Sequence, residues 1–128
     1  MREESQRQRR AGSLVREIVS NIIRTEVHDD DIGFVTVTEV EVSIDLRNAN
    51  VYFSVLGSEE EIQTTMAALN RARKFINLEL GKRLEMRYTP ELRFVRDETA
   101  EKAQRIEEIL DRVETDLPAD SDGDDESE

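Results

Sequence analysis

The chain has no cysteine, no tryptophan, two prolines, five glycines and one histidine in 128 residues. Without cysteine there are no disulfides and no thiolate metal sites. No apolar run is long enough to cross a bilayer, and the N-terminus MREESQRQRR lacks the apolar region of a signal peptide. A cytoplasmic protein with no membrane partner is the expectation. The lone histidine, His28, falls at a predicted helix end, where a surface or capping role is ordinary. Asp29, Asp30 and Asp31 diverge too far to form a compact cation site without other ligands. No nucleophile–base pairing, phosphate-binding glycine loop or metal-ligand spacing is visible, so no enzymatic activity, cofactor or metal is expected. With four Phe and two Tyr, an aromatic platform for stacking bases is not expected either.

What the chain has in quantity is charge, unevenly placed. Thirty Asp and Glu against eighteen Lys and Arg give a formal net charge of −12. Residues 29–70 hold nine acids and one base, Arg47, whereas residues 71–96 hold eight bases and three acids. Residues 97–128 hold fourteen acids and three bases, so much of the acidity belongs to the C-terminal quarter. A chain of this length fits one domain with a modest core.

Periodicity divides that domain. SLVREIVSNIIRTEV (13–27) carries Leu14, Val15, Ile18, Val19, Ile22, Ile23 and Val27 at helical spacing, with an earlier start within the basic segment left open despite Gly12, and HDDDIG (28–33) breaks it. FVTVTEVEVSI (34–44) alternates as a half-buried strand, DLRN (45–48) turns, and ANVYFSVL (49–56) is a second strand, an antiparallel hairpin. SEEE (58–61) opens a helix with Ser58 and Glu61 as a capping box. Thr89-Pro90 ends the helical region, ELRFVR (91–96) is a third strand, and residues 98–114 form a last helix before an acidic low-complexity run. The order predicts an α+β fold, α-β-β-α-(break)-α-β with a C-terminal helix and acidic tail. Its divisions are a flexible basic segment at 1–9, a domain at 10–113 and a disordered acidic tail at 114–128.

The break rests on one residue. The second helix places Ile62, Met66, Leu69, Ile76, Leu80 and Leu84 in a stripe whose empty step is Arg73. Arg73 could snorkel along its aliphatic stem from a straight helix. Alternatively, the helix breaks at Ala72, Arg73 and Lys74, which also accounts for Phe75 and Leu78 lying off the stripe. The break is the expectation. It gathers Arg71, Arg73 and Lys74 at an exposed corner suited to phosphate, with Lys82, Arg83 and Arg87 nearby in sequence and Arg7, Arg9 and Arg10 at the N-terminus. A merely solvated basic face is the competing reading.

GFVTVTEVEVSIDLRNANVYFSVLG (33–57) and ALNRARKFINLELGKRLEMRYTPELRFVRDET (68–99) together resemble the ribosome-binding factor A family of bacteria, over roughly residues 10–113. The resemblance implies a type II KH-like domain without the GxxG loop. It further implies a monomer that binds the precursor of the small (30S) ribosomal subunit and 16S rRNA. The implied activity is late maturation, including 5′-end processing of 16S rRNA, linked to growth in the cold and functionally to assembly GTPases. The family's Ala-x-Gly interruption reads Ala72-Arg73-Lys74 here, and its usual Asp-Pro-Arg loop reads HDDDIG. The other class is an acidic module that binds a basic protein through residues 97–128. Surface acidity for life in high salt is compatible with either.

Overall fold

The computed structural model describes residues 4–116. Residues up to Asp97 form one compact unit, and those from Glu98 onward a second, described by itself. The elements are α1 (Gln6–Thr25), β1 (Phe34–Val42), β2 (Asn48–Leu56), α2 (Glu59–Arg83), β3 (Glu91–Arg96) and α3 (Glu98–Asp116).

The first helix starts earlier than its apolar pattern. Ser5 Oγ accepts from the Gln8 backbone N–H at 3.1 Å, and Gln8 Oε1 accepts from the Ser5 N–H at 2.9 Å. This reciprocal cap satisfies two orphan donors and makes residues 6–9 the first turns of α1, correcting the flexible segment expected for 1–9. Val15, Val19 and Ile22 point into the core and are fully buried, each contributing about 1.5–3 kcal/mol relative to exposure.

A second row of α1 runs along the open edge of β1. Gln8 Nε2 donates to the Val42 carbonyl at 2.9 Å, and Arg16 Nη1 reaches the Thr38 carbonyl at 3.4 Å. Between them Gly12 packs so tightly that a Cβ there would lie 2.7 Å from the Val40 carbonyl oxygen. Steps of four on the helix thus match steps of two on the strand. The arrangement covers an edge that would otherwise offer free carbonyls to another chain.

The hairpin is antiparallel as the alternation predicts, with Phe34 opposite Leu56 and Val42 opposite Ala49. The register slips between Val37 and Glu39. The extra residue is Thr38, whose hydroxyl donates to the Asp97 carboxylate at 2.6 Å. Strand β3 pairs with β2 in parallel, Val51 opposite Phe94, giving the sheet order β1-β2-β3. Ala49, Val51, Phe53, Val55 and Leu92 face the helices and are buried, with Phe53 edge-on to Phe94.

The α2 helix runs without interruption from Glu59 to Arg83, so the break expected at Ala72, Arg73 and Lys74 is absent. The reason is local. Alanine, arginine and lysine are all good helix formers, and breaking the ladder would strand backbone groups that the helix already satisfies. Arg73 instead snorkels. Its side chain is 36% exposed, and its guanidinium stops 3.8 Å from Glu91 at the start of β3. Phe75 and Leu78, 42% and 63% exposed, stay outside. Lys74→Gly, which restores glycine at this step, is expected to lower stability by about 0.5–1 kcal/mol, read as a lower urea midpoint.

Helix α3 carries Ile106, Ile109, Leu110 and Val113 exposed along its length. Residues 114–116 complete it, a correction to the start of the expected tail, and residues 117–128 lie outside the described residues.

Candidate nucleic-acid interface

The cations nominated from sequence fall into three groups once folded. Lys74, Leu78 and Lys82, at steps of four on α2, line a shallow groove of about 570 Å³ with Arg73, Asn77, Gly81, Thr89 and Glu91. Thr89 and Glu91 form the opposite wall, tied to α2 by Asn77, whose amide donates to the Pro90 carbonyl at 3.0 Å and accepts from the Leu92 N–H at 2.8 Å. These bonds fix the start of β3 against the helix. Lys74 has no ion-pair partner among the described residues. Lys82 and Arg83 share one carboxylate, Glu79, at 3.1 and 3.7 Å. Arg83 also reaches Glu26 at 3.5 Å and donates to Asn21 Oδ1 at 3.0 Å, tying α2 to the end of α1. The distal half of α2 therefore keeps surplus positive charge around apolar Phe75 and Leu78.

Arg71 behaves differently. Its Nη2 lies 3.1 Å from Asp29 and 3.0 Å from Asp31, so one guanidinium holds two carboxylates of the 28–33 loop. Asp29 is held below the ordinary carboxylate range, first by the N–H of Asp31 and then by Arg71. The same pairing raises Arg71. A second fastener lies deeper. The buried Thr65 hydroxyl donates to the Asp31 carbonyl at 3.3 Å and accepts from the Gly33 N–H at 3.2 Å. The acidic loop is thus pinned to α2, and Arg71 is already neutralised at the corner where the sequence suggested a free cation.

Of the remaining candidates, Arg7, Arg9 and Arg10 lie exposed on the first turns of α1, Arg9 donating to the Glu4 carbonyl at 2.8 Å. Arg87 lies over the Tyr88 ring, 5.5 Å from its centroid, in the loop between α2 and β3. Neither group lines the α2 groove. Sequence reasoning overlooked Thr65 and Asn77, although both are polar residues inside or beside an apolar stripe, where a buried hydrogen bond is the usual explanation. Among the described residues there is no group of acidic or histidine side chains able to hold a metal ion, and no helix long and apolar enough to cross a membrane.

A three-stranded sheet with parallel β2 and β3, backed by α1 and a cation-bearing α2, defines the molecule as a KH-like α+β domain. The sequence profile of ribosome-binding factor A matches residues 7–110, and the chain belongs to that family. It is 44% identical over 115 residues to the ribosome-binding factor A of Halothermothrix orenii, covering 90% of this chain and 94% of the relative. The crystal structure of ribosome-binding factor A from Thermus thermophilus superposes with a TM-score of 0.62 at 25% identity, covering 70% of this chain and 94% of that one. A homology model of the Thermus thermophilus factor, fitted into a cryo-EM map of a 30S complex, superposes with a TM-score of 0.55 at 26% identity, covering 66% and 88%.

Proposed function

We propose that this chain binds the free small ribosomal subunit as a monomer in the cytoplasm and assists late maturation, including 5′-end processing of 16S rRNA, alongside assembly GTPases. The observation that carries this is the likeness to a family member placed in a 30S complex. The geometry supports RNA backbone as the ligand. Lys74 has no ion-pair partner among the described residues, Lys82 and Arg83 share Glu79 while Arg83 also reaches Glu26, and exposed Arg7 and Arg10 add charge on α1. Such cations neutralise phosphates and release counterions. Residues 10–113 are the subunit-binding portion in this reading, and residues 117–128 lie outside it.

The test is co-sedimentation with free small subunits over a salt series. Joint replacement Arg7→Gln, Arg10→Gln and Lys74→Gln is expected to weaken binding about tenfold or more and to reduce the salt slope by roughly two to three units. Unchanged binding in that variant, combined with its loss on deletion of residues 97–128, would instead establish the acidic module as the binding element. In cells, depletion should accumulate 16S precursor with an unprocessed 5′ end. Fully mature 5′ ends after depletion would refute the processing role.

A further inference from the structure

Arg47 is the single base in residues 29–70, among nine acids, and the fold does not leave it in that acidic surrounding. Its guanidinium carbon lies 4.6 Å from the centroid of the Tyr88 ring, which also carries Arg87 at 5.5 Å. Two guanidiniums from distant segments, the hairpin turn and the α2–β3 loop, therefore meet on one half-exposed aromatic ring. Cation–π contact orients an arginine without consuming its N–H donors, and each guanidinium brings five of them.

The turn that presents Arg47 is unusually determined. Leu46 adopts φ 61°, a left-handed conformation costly for a branched side chain without a glycine's freedom. The surrounding bonds hold it there. Ser43 Oγ donates to Asp45 Oδ1 at 2.7 Å and accepts from the N–H groups of Arg47 and Asn48 at 3.2 and 3.0 Å. Asp45 Oδ1 accepts from the Arg47 N–H at 3.1 Å, and the Leu46 N–H bonds to the Ser43 carbonyl at 2.9 Å. The Arg47 carbonyl in turn accepts from the Glu91 N–H at 2.8 Å, locking the turn to the first residue of β3. Asp45 is hydrogen-bonded to Ser43 and to the Arg47 backbone and feels the Arg47 charge, but no carboxylate among the described residues forms an ion pair with the Arg47 guanidinium.

We infer that Arg47, Tyr88 and Arg87 form a second anion site, separate from the α2 groove, that clamps a backbone phosphate of RNA. The proposal rests on the RNA reading above. Two pre-oriented forks suit the tetrahedral, multiply accepting phosphate, and Tyr88 is the residue that holds them together. The strain at Leu46 then has a use, since it aims Arg47 at Tyr88.

The test uses the full chain with free small subunits, and with polyuridylate and polyglutamate as simple probes, across a salt series. Arg47→Gln should weaken subunit binding several-fold and lower the salt slope by about one, the effect of a single lost phosphate contact. Arg47→Lys and Tyr88→Leu should each weaken binding by less, through lost orientation, and Tyr88→Phe, which keeps the ring, should recover most of what Tyr88→Leu loses. A matching urea midpoint for these variants separates binding from folding. Since the chain has no tryptophan, Tyr88→Trp places a sole indole at the site, and its fluorescence should respond to polyuridylate and not to polyglutamate. A response to polyglutamate alone would make this a contact for an acidic protein and overturn the proposal. If Arg47→Gln binds as the parent while Lys74→Gln is weakened, the second site is refuted and the RNA reading stands. If neither changes, both fail.

Discussion

Gly12→Val will unfold the chain at a denaturant concentration well below that of the parent, with a loss on the order of 3 kcal/mol. The argument turns on sign. At an ordinary exposed helix position, replacing glycine stabilises by up to about 1 kcal/mol, because alanine restricts the unfolded chain and favours the helix. Here an added Cβ would lie 2.7 Å from the Val40 carbonyl oxygen, and the obstacle is backbone belonging to β1 rather than a side chain that could turn away. Relief requires α1 to lift from the strand edge, loosening both the Gln8–Val42 and the Arg16–Thr38 contacts. Gly12→Ala should therefore destabilise by about 1–2 kcal/mol despite its better propensity, and valine, larger and β-branched, by more. A urea titration of both variants checks this. Stabilisation by alanine would show that the helix is free to move off the edge.

Neutralising the loop clamp, Asp29→Asn with Asp31→Asn, is expected to strengthen binding to free small subunits about three- to tenfold at low salt and to steepen the salt dependence by about one unit. In the parent, Arg71 Nη2 sits 3.0–3.1 Å from both carboxylates, whose negative charge offsets the attraction of the guanidinium for a phosphate. The amides leave the guanidinium its charge, and Thr65 still holds the loop through the Asp31 carbonyl and the Gly33 N–H. The clamp also has a pH signature. The folded-state value of Asp29 is lowered, so its contribution to stability is present above the unfolded value and is lost as pH falls through the lowered one. Glu61 at the α2 cap and Asp45 in the hairpin turn are lowered too and act in the same direction. Melting temperature should fall on acidification below the ordinary carboxylate range, less steeply in the Asn variant. Weaker binding by that variant would mean that the aspartates position Arg71 rather than occupy it.

Element type was legible from periodicity because two simple repeats dominate this chain. Alternation at 34–44, interrupted at Thr38-Glu39, alternation at 49–56, and the capping box at Ser58 and Glu61 are short-range signals realised locally. The first turns of α1, left open as helix but divided off as a flexible segment, had a local signal as well, Ser5 three residues before Gln8, in a run of polar side chains without apolar period. The failed break at Ala72-Arg73-Lys74 has a different cause. An empty step in an apolar stripe records which side chain faces the core, not how its far end escapes, and Arg73 had enough length to reach solvent beside Glu91. The site was half legible for the same reason. Charge counting located the basic stretch, but whether a cation is free depends on acids far away in sequence.

By itself, then, the sequence determined the elements, the hairpin, the basic character of residues 71–96 and the family, all of which follow from patterns within a few turns or strands of chain. Only the tertiary structure decided which cations remain available. It set Arg71 against Asp29 and Asp31, left Lys74 without an ion-pair partner among the described residues, and brought Arg47 onto Tyr88 beside Arg87. The physical reason is distance. Electrostatic pairing is settled within a few ångströms, between side chains that the sequence places some forty residues apart.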